Sequence, residues 1–241
     1  MKSIIKILLI LGVTAYLGYA VFQLCKPADD LLCTGVTVQL ADTTDTHLID
    51  EEGVINLLRQ KKIIPEGNPF SSIDMAAIDS LLTTSPYIAS AHCNSTPSGY
   101  LNIDVELCHP ILHVIPDNGG EFLLGRNGEI MPVGGVVNNL CIVTGKVGKK
   151  FASEQLLELG NFLLDDDYWR LQAEQVVVTS KGHVEIVPRI SGHIIQLGRP
   201  TGVEEKLGRV RTFYEQGMPK AGWNIYKTIN AAYKDQIICT K

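Results

Sequence analysis

Cys108, His109 and His113 are the residues of this chain whose types and closeness most invite a metal reading. Thiolate and imidazole are good zinc ligands, and on a helix positions four apart would face one ion. Pro110 and the apolar pattern around it instead predict extended chain, where residues four apart stand roughly 13 Å apart and cannot share an ion. His47, His92, His183 and His193 have no spacing that suggests a catalytic pair. Asp165-Asp166-Asp167 offers three carboxylates, but adjacent acids at a helix end point in different directions, so a solvated terminus is expected rather than a paired acid and base. Gly145-Lys146 and Gly148-Lys149 are followed by Val147 and Lys150 and lack the earlier glycine of a GxxxxGK[ST] phosphate loop, and no GxSxG elbow occurs. No catalytic, cofactor-binding or metal-binding residue and no cofactor is therefore expected.

Composition limits the partners. The 241 residues suffice for one large or two small domains, and 45% hydrophobic with 20% charged residues excludes wholesale disorder. A formal charge of -5 argues against a phosphate-backbone binder, which would present a basic face.

The N-terminal stretch differs from the rest. From Ile4 to Leu24 the only charge is Lys6, and a helix of that length spans roughly 30 Å, the thickness of a bilayer's hydrocarbon core. Residues 4–24 are thus expected to form a transmembrane helix after a cytoplasmic tail of residues 1–3. Lys2 and Lys6 on its amino side, with Asp29 and Asp30 beyond it, place the N-terminus in the cytoplasm and the bulk of the chain outside. A cleaved secretory signal is the rival, since Gly18-Tyr19-Ala20 offers small residues at a processing spacing. The six cysteines (25, 33, 93, 108, 141 and 239) show no CxxC pair, and both free thiols and bridges suit an exported protein of this size. Asn94-Ser95-Thr96 fits a glycosylation sequon.

Beyond a linker (25–34), Gly35–Leu40 reads as a strand. Helices follow at Glu51–Gln60, with Val54, Leu57 and Leu58 on one stripe, and around Met75, Ile78, Leu81 and Leu82. Strands are predicted at Ile88–Cys93 and Tyr100–Leu107, the latter alternating cleanly between apolar and polar. From Pro110 the pattern is mostly β: Ile111–Ile115, Glu121–Leu124, Leu140–Thr144, Val176–Thr179 and Val184–Pro188. One helix is expected from Ser153 through Leu163, and another carries Val203, Leu207, Val210 and Tyr214. The chain closes on GWNIYKTINAAYKDQIICTK, whose Trp223, Ile225, Ile229, Ala231, Tyr233, Ile237 and Cys239 alternate with polar residues. This predicts a final strand at a sheet's rim, whose spare N–H and C=O groups could accept another chain. The fold class is α+β: a membrane helix, a βααββ unit over residues 35–109, and a mostly antiparallel β domain with helices over 110–241.

That order resembles the FtsQ/DivIB family of bacterial cell-division proteins, in which a POTRA domain precedes a β domain. The stretches that carry the resemblance are LIDEEGVINLLRQ, SPYIASAHCNSTPSGYLNIDVELCHPILHVI, FLLGRNGEIMPV, YWRLQAEQVVV, EIVPRISGHIIQLG and the closing GWNIYKTINAAYKDQIICTK. Two positions depart from it: Cys108-His109 precede Pro110 where many relatives have a basic residue, and Ala231-Ala232 replace a bulkier pair.

The resemblance implies a non-enzymatic scaffold of the division machinery, anchored once in the inner membrane with its C-terminal part in the periplasm at the septum. It implies partners of the FtsB and FtsL type, with FtsB received on the final strand region by β-augmentation and further division proteins met through the POTRA domain. By position, the partner-binding residues are expected to be Tyr226, Thr228, Ile229, Asn230 and Tyr233, with the edge backbone supplying about five hydrogen bonds. Two other classes stand beside this reading. A POTRA-type assembly or secretion factor would need a barrel for which the remaining residues are too few. An exported hydrolase would need a dispersed active site.

Overall fold

The computed structural model describes residues 12–21, 31–41, 48–134, 139–190 and 192–241. Residues 12–21 form a helix, α1, that exposes Val13, Tyr16, Leu17, Tyr19 and Val21. Among the described residues no helix is long and apolar enough to cross a membrane. The rest of the expected span 4–24, the tail 1–3, Cys25 and most of the linker lie outside the described residues.

The first sheet is built from β1 (Gly35–Ala41), β2 (Ile88–Ser95) and β3 (Tyr100–Leu107) in the order β1-β3-β2, with β1 parallel and β2 antiparallel to β3. Between β1 and β2 run α2 (Glu51–Gln60), a short 3-10 turn (Phe70–Ser72) and α3 (Met75–Leu82). Each helix begins where a side chain takes an orphan N–H: the Asp50 carboxylate accepts from Gly53 N at 2.7 Å, and that of Asp74 from Ala77 N at 3.0 Å. Val54 and Leu58 from α2, and Ile78 and Leu82 from α3, are buried against Leu101, Ile103 and Val105 of β3 in one apolar cluster. The opposite face of β3 stays wet, with Asn102 and Asp104 bonded to each other at 2.9 Å and Glu106 receiving the Ser90 hydroxyl at 3.0 Å.

Only Cys108 and His109 separate β3 from β4 (Pro110–Pro116), so the central strand of one sheet leads almost directly into the other. The second sheet adds β5 (Phe122–Gly125), β6 (Ile130–Pro132), β7 (Cys141–Gly145), β8 (Ala173–Val178), β9 (Val184–Pro188), β10 (Ile194–Gly198), β11 (Thr228–Asn230) and β12 (Ile238–Thr240). Its order is β12-β11-β10-β9-β8-β7-β4-β5-β6. Five of the eight pairings are antiparallel; β4–β7, β7–β8 and β10–β11 are parallel. Parallel neighbours need crossovers. Two of these crossovers are helical: α4 (Lys149–Gln155), α5 (Leu157–Asp165) and α6 (Asp167–Gln172) before β8, and α7 (Val203–Gln216) with α8 (Met218–Ala221) before β11. They share one apolar core with the sheet, in which Val114, Val143, Val176, Ile186, Ile195, Ile229 and Cys239 form a register row running from β4 to β12.

Three expectations are corrected here. The helix expected from Ser153 to Leu163 is two helices that meet at Leu156, whose backbone (φ −94, ψ −3) ends the first. Gly160 then lets α5 approach β4, because a Cβ there would lie 2.7 Å from the Ile111 side chain. The closing stretch is two three-residue strands joined by a turn, in place of one long strand. Asn230 ends β11 by accepting the Ala232 N–H at 2.9 Å, and Asp235 takes a left-handed φ of 57 in the turn. Finally, β11 has β10 on one side and β12 on the other, so the backbone of Thr228, Ile229 and Asn230 is already flanked by the chain itself.

Candidate functional site

Several residues that invite chemistry have structural partners. Asp165 grips Arg126 through two hydrogen bonds of 2.6 and 3.1 Å, Asp166 caps α6 by accepting from Trp169 N at 2.8 Å, and Asp167 pairs with Arg170 at 2.8 Å. The three acids point apart, each to its own partner. His113 meets Glu121 at 2.9 Å, while Cys108 is buried. Among the described residues no group of three His, Cys, Asp or Glu could hold a metal. Cys33, Cys93, Cys108, Cys141 and Cys239 are free thiols. Burial, followed by the Glu129 carboxylate, pushes Cys108 up to about 11, and burial pushes Cys141 up to about 12. Both shifts favour the neutral thiol, the less nucleophilic form.

What remains is an edge. The nine-stranded sheet has two outer strands, β6 and β12. β6 ends in Pro132, which has no N–H to donate, and its Met131 is fully buried. β12 contains no proline, and Ile238 and Thr240 are exposed. Its inner side is held firmly: Ile229 is paired with Cys239, Lys227 N donates to Thr240 O at 2.8 Å, and the Thr228 and Thr240 hydroxyls bond across the pair.

A clamp from α7 holds the turn that leads to this edge. Arg209 donates to the carbonyls of Ala231 (3.1 Å) and Tyr233 (3.0 Å), and its other terminal nitrogen pairs with Glu205 at 2.7 Å. Beside the turn lies an open groove of about 720 Å³. Its floor includes Glu185, Gln196 and Asn230, neighbours in one register row that continues to Ile238 of β12. Lys181, Arg199 and Lys206 stand on its walls.

The five residues expected to bind a partner are dispersed. Ile229 is fully buried in the core, Tyr226 packs on it with its ring 6.1 Å from that of Phe213, and Thr228 and Asn230 lie on the opposite sheet face. Tyr233 is exposed in the turn and lines the groove with Asn230. The outermost strand, Ile238–Thr240, and the clamp Arg209 were missed. The polar run Tyr233-Lys234-Asp235-Gln236 inside the apolar alternation was the available turn signal.

Comparison with protein families places this architecture. Residues 109–240 match the model described as FtsQ/DivIB, C-terminal related, and residues 31–106 match that of a POTRA-like domain. The chain belongs to the FtsQ/DivIB family. A search of the curated proteins found no match. Membership in the FtsQ/DivIB family marks a cell-division protein, from a family that is generally a non-enzymatic division scaffold with partners in the division machinery.

Proposed function

We propose that this FtsQ/DivIB protein is a membrane-anchored scaffold that receives an FtsB-type partner as an added strand on β12, within a complex that includes an FtsL-type protein, and so helps control septal peptidoglycan synthesis. The observation that carries the reading is the outer strand Ile238–Thr240, unpartnered among the described residues, at the end of a sheet lying within the family match. Pairing on an edge is indifferent to side-chain identity and uses the spare backbone groups of the outer strand. The apolar stretch 4–24 supports a single anchor, with the POTRA-like unit (35–109) between the membrane and the β domain (110–241). Tyr233 and Asn230, beside the edge, are kept as partner contacts; Ile229, Thr228 and Tyr226 support the edge from behind.

The edge is short. Of its three residues only Cys239 turns its N–H and C=O outward, which gives two backbone hydrogen bonds of about 0.5 to 1.5 kcal/mol each, so pairing alone is weaker than about millimolar. Side-chain contacts must supply the rest.

Proline is the direct probe. Ile238 and Thr240 turn their backbone groups toward β11, so the spare N–H of the outermost strand is that of Cys239; Cys239→Pro removes it and is expected to abolish capture of the purified FtsB-type protein while thermal unfolding stays cooperative. Undiminished capture would overturn the reading. Ile229→Pro is not an equivalent test, because it breaks an internal strand and the core. In live cells, a fluorescently tagged chain is expected as a midcell band that appears with constriction.

A further inference from the structure

We infer that the groove beside the β11–β12 turn is the specificity site of this edge, and that it takes an acidic segment of the same polypeptide that pairs with β12. The inference deepens the reading above and rests on it.

The first argument is charge. The chain is net negative, yet Lys181, Arg199 and Lys206 converge on one groove whose lining holds a single carboxylate, Glu185. That carboxylate is occupied by the side-chain amide of Gln196 at 3.2 Å. None of the three cations forms an ion pair among the described residues, although Arg209, Arg211, Arg126 and Arg170 of the same domain all do. The Lys206 ammonium donates to the backbone carbonyl of Arg199, at 2.7 Å. Burial, and then the Arg209 guanidinium, hold Lys206 below its ordinary value against the opposing pull of the Glu158 and Glu205 carboxylates. Lys181 and Arg199 are the cations of the groove that a carboxylate there would meet first.

The second argument is reach. Asn230, on the groove floor, shares its register row with Ile238 of β12. A strand added outside β12 lies two strand spacings from β11, about 10 Å, which three residues of extended chain cover. A segment leaving the added strand at the turn end therefore enters the groove without a gap. Tyr233, exposed on the turn between edge and groove, is the surface it crosses. The third argument is need, since the short β12 ladder cannot by itself select a partner.

The test uses the full chain and the purified FtsB-type protein. The charge-reversed variant Lys181→Glu, Arg199→Glu, Lys206→Glu is expected to bind about ten-fold more weakly at low salt and to lose the salt dependence that the unaltered chain shows. Lysine replacements of the partner's acidic residues that flank its pairing strand should restore binding to the reversed variant. If that variant does not fold, Lys181→Ala with Arg199→Ala carries the same comparison with a smaller loss. Binding within two-fold of the unaltered chain, with Cys239→Pro still abolishing it, would overturn the groove assignment and leave the edge reading standing. Loss in neither variant would overturn both. A charge reversal that releases the chain from vesicles of anionic phospholipid, with partner affinity unmoved, would assign the groove to lipid and overturn the inference.

Discussion

His193 is the one buried polar residue of the described core, and its environment makes the C-terminal unit sensitive to acid. Its Nε2 shares a hydrogen bond with the Tyr214 hydroxyl at 2.5 Å, and among the described residues its Nδ1 has no partner. It immediately precedes β10, whose Ile194 N–H bonds to Lys227 O just before β11. Burial holds the imidazole below its ordinary value, so the folded chain favours the neutral ring. The unfolded chain then binds more protons below pH of about 6.5, and stability present above that pH falls away as the solution is acidified. The melting temperature is expected to drop between pH 7.5 and 5.5, and His193→Gln, which keeps a hydrogen-bonding group but does not titrate, to flatten that slope. An unchanged slope would place the acid sensitivity elsewhere. No spacing around His193 announced this; the tyrosine lies 21 positions away, and only the packing of α7 against β10 brings the two together.

At the scale of elements, the local grammar of the chain was largely legible. Asp50 followed by two glutamates and the Val54, Leu58 stripe specifies α2, and the alternation from Leu101 to Leu107 specifies β3, because caps and periodicity act within a few residues. What failed were elements ended by contacts from afar. Asn230 closes β11 locally, but the turn beyond it is fixed where Arg209 of α7 draws in the carbonyls of Ala231 and Tyr233, and the sequence of the strand contains no record of that arginine. β7 ends on Gly145 for a similar reason. Its φ is +100, and a Cβ there would stand 2.2 Å from the Val178 carbonyl oxygen of the neighbouring strand. Gly145→Ala is expected to cost about 3 kcal/mol, combining the left-handed penalty with a backbone clash that cannot relax locally. A chemical-denaturation midpoint close to the unaltered chain's would refute that account.

For the whole molecule, the junction between the two sheets is a packed joint. Leu123 and Met131 from the second sheet are fully buried with Cys108 and Leu48, and Tyr87 from the first unit packs on them while its carbonyl accepts the Cys108 N–H at 2.9 Å. Leu123→Ala is expected to destabilise by about 3 kcal/mol and to split a single unfolding transition into two, seen by calorimetry; one cooperative transition would mean that the units are coupled through other contacts. The sequence by itself determined the apolar N-terminal stretch, the α+β order of elements and the family they resemble, since these follow from composition, short-range periodicity and motif order. Only the tertiary structure decided which backbone is free. Pairing depends on partners far apart in the chain: α7 and α8 carry β11 to the side of β10, and the short returning strand covers β11 in turn. The open edge is thereby moved from Thr228–Asn230 to Ile238–Thr240, and Lys181, Arg199 and Lys206 are gathered beside it from three separate segments.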